Sequence, residues 1–118
     1  MIDDDDIVRT VISRMLEQAG FHVLTAPDGL TGVAAFREHC PTIQAVLLDM
    51  TMPKMDGVQT CRALREVHPA VKVILSSGYA QQDVLLQLPA LAVAGYIQKP
   101  YAAEELLAML SSVISPPA

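Results

Sequence analysis

Four apolar segments of this chain end in residues that could do chemistry. Ile2 leads into Asp3 and Asp4, and the run Ala45-Val46-Leu47-Leu48 delivers Asp49. Val73-Ile74-Leu75 leads into Ser76 and Ser77, and Gly95-Tyr96-Ile97-Gln98 into Lys99 and Pro100. Each of these features alone has an ordinary explanation. An Asp after a strand caps a loop, acids at a helix start complement its dipole, and a lysine after a strand is usually solvated. A charge set where a buried strand meets a loop nonetheless costs solvation unless something uses it. In a parallel sheet these strand ends lie on one edge, where open α/β sheets bind their ligands. An edge bearing acids, hydroxyls and a lysine is therefore a candidate binding site.

The elements that would position these groups alternate. Four consecutive apolar residues before Asp49 suit a strand covered on both faces. Pro53 and Gly57 keep the loop after it out of regular structure. Ile7, Val8, Val11, Ile12, Met15 and Leu16 recur at helical spacing, with Gly20 as terminator. Residues 22–26 form a short strand, and Pro27-Asp28-Gly29 turns it into a helix whose apolar positions are Leu30, Val33, Ala34 and Phe36. A helix over 58–67 is closed by His68-Pro69, and 71–77 is the next strand. A weaker helix over 81–88 ends at Pro89; 94–98 is the last strand and 103–114 the last helix, with a broad apolar face. Strands alternating with helices imply a parallel sheet covered on both faces.

Composition fits one domain. The chain has 118 residues, just over half of them hydrophobic, with no Trp, and a net charge of −5. That length is enough for a real core. The acidic balance and the lack of a basic patch with interleaved aromatics argue against a nucleic-acid groove. Cys40 and Cys61 lack metal-type spacing and read as reduced packing residues of a cytoplasmic protein. No apolar run approaches the roughly 18 residues of a membrane span, and no signal peptide is visible, so no membrane contact is expected of this domain. Residues 1–114 read as the domain and 115–118, Ser-Pro-Pro-Ala, as a tail or the start of a linker.

The ordered motifs resemble the receiver domain of bacterial two-component response regulators, over almost the whole chain. They are the N-terminal acidic pair, Asp-x-x-Met-Pro-x-Met-Asp-Gly from Asp49 to Gly57, and Ser77-Gly78-Tyr79 before Lys99-Pro100. The resemblance implies a flavodoxin-like (βα)5 three-layer sandwich, with a five-stranded parallel sheet of order 2-1-3-4-5 and helices on both faces. One departure stands out. The family's first strand has several apolar residues before its acidic pair, where this chain has only Met1 and Ile2. Either the numbering begins inside a longer natural protein or this strand is unusually short.

By the same resemblance Asp49 is the phosphoryl acceptor; a carboxylate can attack phosphorus and form an acyl phosphate. Asp3 and Asp4 take the acidic pair, aligned by Arg9 six residues after Asp3. Asp5 and Asp6 start the first helix. Four carboxylates, Asp3 to Asp6, crowded beside Asp49 would repel one another and call for a cation. Mg²⁺ suits them, being a hard octahedral ion held by one or two carboxylates, backbone oxygen, waters and substrate phosphate. The expected ligands are Asp4, Asp49 and the Thr51 backbone carbonyl, with Asp3 acting through water. Lys99 supplies a point charge for a phosphoryl oxygen, and its peptide to Pro100 is typically cis in this family. Ser77 matches the switch hydroxyl better than Ser76, which then points inward. Gly78 leaves room for the phosphoryl donor, and Tyr96 matches the rotameric aromatic, although an ordinary half-buried strand tyrosine would look the same.

The function so implied is a phosphorylation-dependent switch. A histidine kinase or histidine phosphotransfer domain donates to Asp49, and the surface of the fourth helix, fifth strand and fifth helix changes. The partner of that surface would be a second receiver, as a homodimer, or an output module. The domain assists its own phosphorylation and autodephosphorylation and is otherwise no enzyme. An aspartate-nucleophile phosphatase is the alternative. Such enzymes carry a second Asp two residues beyond the nucleophile, where this chain has Thr51, and need a substrate cap for which there is no length. A degenerate receiver acting as a constitutive interaction module is a third reading, opposed by the presence of acceptor, acidic pair, hydroxyl and lysine. The sequence leaves the parent open between a stand-alone receiver, the N-terminal half of a regulator and part of a hybrid sensor kinase; residues 73–80 look like receivers attached to sensor kinases and lean slightly to the last.

Overall fold

The computed structural model describes residues 1–39, 42–50, 57–77, 93–98 and 101–114. Its elements are α1 (Asp6–Gln18), α2 (Gly29–His39), β1 (Val46–Asp49), α3 (Gly57–Val67), β2 (Val73–Ser77), β3 (Gly95–Gln98) and α4 (Ala103–Ile114). The strand beginning at Val46 is the one the sequence counts as third. The helix expected over 81–88 lies outside the described residues.

The three strands form a parallel sheet in the order β1-β2-β3. Val46 pairs with Val73 and Asp49 with Ser76, while Leu75 pairs with Tyr96 and Ser77 with Gln98. Ile2 extends this arrangement by single parallel bridges to Leu48 and to Ala26. Its N–H donates to the Leu47 carbonyl at 2.8 Å, its own carbonyl accepts from Asp49 N at 2.9 Å, and Asp3 N donates to the Ala26 carbonyl at 3.1 Å. Residues 1–3 thus lie between Ala26 and β1. Of the strand expected over 22–26, the structure shows only the bridge at Ala26.

Apolar strand residues alternate between two cores, as the two-residue period requires. Leu48, Val73 and Leu75 pack with Ile2, Val33 and Phe36 of one cluster, which also takes Cys61 and Leu64 of α3. Leu47, Ile74 and Ile97 pack on the other face with Leu16 of α1 and with Leu106 and Leu110 of α4. Helices therefore cover both faces of the sheet. Burying each such leucine or isoleucine contributes roughly 1.5–3 kcal/mol, so the central strands carry much of the fold.

Local chemistry fixes the helix ends. Asp5 caps α1, its Oδ1 accepting from Ile7 N at 2.9 Å and Val8 N at 3.2 Å. At the other end Gly20 N donates to Glu17 O and Phe21 N to Leu16 O, both at 3.0 Å. This double closure needs a left-handed residue after the cap, and Gly20 supplies it with φ +98°. Asp28 Oδ1 accepts from Thr31 N at 2.8 Å in the first turn of α2. α3 begins hard against the sheet edge: a Cβ on Gly57 would lie 2.7 Å from the Met50 Cα. Only glycine permits that approach, which seats α3 directly behind the residue following Asp49.

Some expected core positions face solvent instead. Ile7 (75% exposed) and Val11 (57%) stand off the core, as do Leu30 (56%) and Ala34. α1 meets the sheet with the stripe Ile12, Met15 and Leu16, and α2 with Val33 and Phe36. These stripes are narrower than hydrophobicity alone suggested, since residues four apart share a face whether or not that face is covered.

Candidate functional site

The site is built where the first segment and β1 run out together. Asp49, the last residue of β1, is 5% exposed, and its N–H is held by the Ile2 carbonyl. Asp3, one residue beyond Ile2, is 2% exposed. Its Oδ1 accepts from Asp5 N at 2.9 Å, which fixes the carboxylate against the following turn. Asp4 is exposed. One carboxylate oxygen from each of Asp3, Asp4 and Asp49 lies within 4.8 Å of the others.

Two buried carboxylates and one exposed carboxylate this close repel strongly. At the effective dielectric of a protein site, like unit charges 4 Å apart repel by about 4 kcal/mol. A cation relieves that repulsion, and an all-oxygen donor set selects a hard ion such as Mg²⁺ or Ca²⁺ over a soft one. The exposed Asp4 gives such an ion access from solvent. The residues present fit a magnesium ion.

The four N-terminal aspartates do not all crowd around Asp49. Asp3 and Asp4 join it, Asp5 turns away to cap α1, and Asp6 pairs with Arg9. The helix cap is thus Asp5 and not Asp6. Arg9, which the sequence offered only as an alignment marker, reaches back to the site and donates from Nη1 to the Asp3 carbonyl at 2.6 Å. An arginine one helical turn past an acidic run was the signal available.

Ser76 points inward as expected. It is 1% exposed, and its Oγ donates to the Leu48 carbonyl at 3.5 Å. Ser77 closes β2, opposite Gln98. Tyr96 is half-buried in β3 and packs against the core cluster that contains Leu75. Thr51, Gly78, Lys99 and Pro100 lie outside the described residues. Cys61 is a buried free thiol, and Cys40 is likewise outside the described residues. Among the described residues no helix is long and apolar enough to cross a membrane.

A parallel sheet flanked by helices, with three acids gathered at its edge, is the frame of a CheY-type signalling domain. The comparisons agree with that class. A profile of the response regulator receiver domain matches residues 1–111, and the chain belongs to that family. It is 38% identical over 113 residues to the transcriptional regulatory protein CseB of Streptomyces avermitilis, covering 96% of this chain and 47% of that protein. It is 32% identical over 114 residues to the sensor kinase CckA of Brucella abortus, covering 97% of this chain and 12% of that protein. The chain therefore spans about half the length, or less, of these relatives. Among solved structures it resembles the CheX–CheY–BeF3–Mg complex of Borrelia burgdorferi, with a TM-score of 0.90 and 28% identity, over 98% of this chain and 87% of that one. Receiver domains are signalling domains of two-component systems rather than enzymes of metabolism, and they bind Mg²⁺ at an acidic pocket.

Proposed function

We propose that this domain is a phosphorylation-dependent switch in a two-component phosphorelay, with Asp49 as its phosphoacceptor. The observation that carries the reading is the buried Asp49 carboxylate at the end of β1, with Asp3 and Asp4 carboxylate oxygens within 4.8 Å. In the transfer, an Asp49 oxygen bonds to phosphorus as the N–P bond of a donor phosphohistidine breaks, and the imidazole leaves. Asp4, Asp49 and the Thr51 carbonyl would hold Mg²⁺, with Asp3 acting through water. The ion, when bound, neutralises charge on the phosphoryl oxygens. Lys99 pairs with a phosphoryl oxygen, and Gly78 leaves space for the donor.

The acyl phosphate then accepts a hydrogen bond from the Ser77 hydroxyl. Tyr96 follows, and the surface made by residues 81–88, β3 and α4 changes. That surface would engage a second receiver or an output module, and hydrolysis of the acyl phosphate in place resets the switch. Ile2 bridging both Ala26 and Leu48, beside β1-β2-β3, supports a sheet order of 2-1-3-4-5. The likeness of residues 73–80 to receivers of sensor kinases supports a hybrid kinase as parent, acting in the cytoplasm.

The test is mass spectrometry after treatment with acetyl phosphate and Mg²⁺. The chain should gain one phosphoryl group at Asp49, and Asp49→Asn or removal of Mg²⁺ by EDTA should abolish the gain. Full-strength labelling of Asp49→Asn would overturn the assignment.

A further inference from the structure

We infer that Arg9 is a positioning residue for the metal-binding acids, holding the Asp3–Asp4 backbone in the shape that gathers the three carboxylates. Its side chain is only 17% exposed although it stands on the helix nearest the site. One arm of the guanidinium donates from Nη1 to the Asp3 carbonyl at 2.6 Å. The other arm, Nη2, pairs with the Asp6 carboxylate one helical turn back. A planar fork can hold both at once, which a lysine's single ammonium cannot do with the same geometry. The Asp3 carbonyl belongs to the peptide that leads into Asp4, so this contact fixes the direction in which Asp4 leaves the buried Asp3. Asp5 N closes the other side of the turn by donating to Asp3 Oδ1 at 2.9 Å. The acidic loop is thus braced from α1 itself, by a residue that offers the metal no ligand atom. Groups that orient metal ligands in this way commonly affect affinity by about 10–100-fold.

This inference rests on the proposed metal site, and the experiment separates the two. Mg²⁺ affinity is measured by the tyrosine fluorescence or amide shifts of wild type, Arg9→Met, Arg9→Lys and Asp6→Asn. Urea midpoints are measured in EDTA for the same proteins and for Val113→Ala, a distant packing variant on α4. Arg9→Met should weaken Mg²⁺ binding about 10-fold. Arg9→Lys should recover part of the loss, and Asp6→Asn should stay close to wild type because the Asp3 contact survives. In EDTA, Arg9→Met should shift the amides of Asp4 and Asp5, which shows the loop moving before any metal is present. A merely stabilising Arg9 would predict equal affinity losses in Arg9→Met and in an equally destabilised Val113→Ala. That result, or wild-type affinity in Arg9→Met, would overturn the positioning role alone. A wild-type chain that fails to bind Mg²⁺ would instead overturn the site reading on which it depends.

Discussion

Leu48 and Asp49 are neighbours on β1 and both are inaccessible to solvent, at 0% and 5% exposure. Leu48 lies in the middle of the sheet, surrounded by Val46, Val73 and Leu75, where every neighbour gains from being dry. Asp49 lies at the carboxyl edge, where carboxylate oxygens of Asp3 and Asp4 come within 4.8 Å and the three like charges oppose one another. The change from one regime to the other takes a single residue. The middle of the sheet supplies the stability that lets the edge hold carboxylates in an arrangement unfavourable on its own. Substitutions in the two regions should therefore move stability in opposite directions.

The largest effect is expected in the middle. Leu48→Ala should cost about 3 kcal/mol, the usual loss when a buried leucine leaves a cavity in a packed core. Urea unfolding in EDTA measures it. Leu48 touches no phosphoryl chemistry, so the folded variant should still label at Asp49 with acetyl phosphate. A loss below about 1 kcal/mol would mean that the core relaxes around the gap and that the middle is less rigid than its burial indicates.

At the edge the sign should reverse. Asp49→Asn removes one of three neighbouring negative charges while keeping size and hydrogen-bonding capacity. In EDTA it should raise stability by about 1 kcal/mol, in the range typical of relieved functional strain. Added Mg²⁺ should stabilise wild type and shrink the difference, since a ligand that binds only the folded state stabilises it by mass action. Equal urea midpoints with and without metal would show that repulsion at this edge is already offset within the protein.

The same contrast explains how much the sequence disclosed. Apolar runs at 46–48 and 73–75 read as buried parallel strands because they are short, bounded by turn and loop residues, and apolar on both faces. Asp49 was legible because it interrupts such a run. Periodicity could not say which apolar residues of α1 and α2 meet the sheet. Ile7, Val11 and Leu30 satisfy helical spacing yet remain exposed, because coverage depends on neighbours distant in sequence. Nor could a run of four aspartates reveal its own division of labour. Composition is identical at all four positions, and only the turn at Asp3 sends Asp4 to the site and Asp5 to the helix cap.

That division yields a smaller effect. Asp5→Ala should cost about 1 kcal/mol through loss of the cap to Ile7 and Val8, with Mg²⁺ affinity nearly unchanged. Asp4→Ala should do the reverse, abolishing Mg²⁺ binding with little change in metal-free stability. Isothermal titration with MgCl2 and urea unfolding in EDTA make the pair of measurements. Equal losses of Mg²⁺ affinity in the two variants would mean that Asp5 also contributes to the cation site.

The smallest stability change is expected at Ser76, the register partner of Asp49 on β2. Its hydroxyl is fully buried, but the bond to the Leu48 carbonyl is long, at 3.5 Å. Such a bond contributes at the low end of the usual range, so Ser76→Ala should change stability by about 0.5 kcal/mol or less. Adjacent strand residues face opposite sides of a sheet, which gives Ser76 and Ser77 different duties under the proposed mechanism. Ser77→Ala should still accept phosphate at Asp49 but lose the hydrogen bond that marks the phosphorylated state. Amide shifts on adding beryllofluoride with Mg²⁺, a phosphoryl mimic, distinguish the two. In Ser76→Ala the shifts should spread from the pocket to Tyr96, as in wild type; in Ser77→Ala they should stop at the pocket. The opposite pattern would place the switch hydroxyl on Ser76, and the buried serine beside Asp49 would then belong to the chemistry of the edge rather than to the packing of the middle.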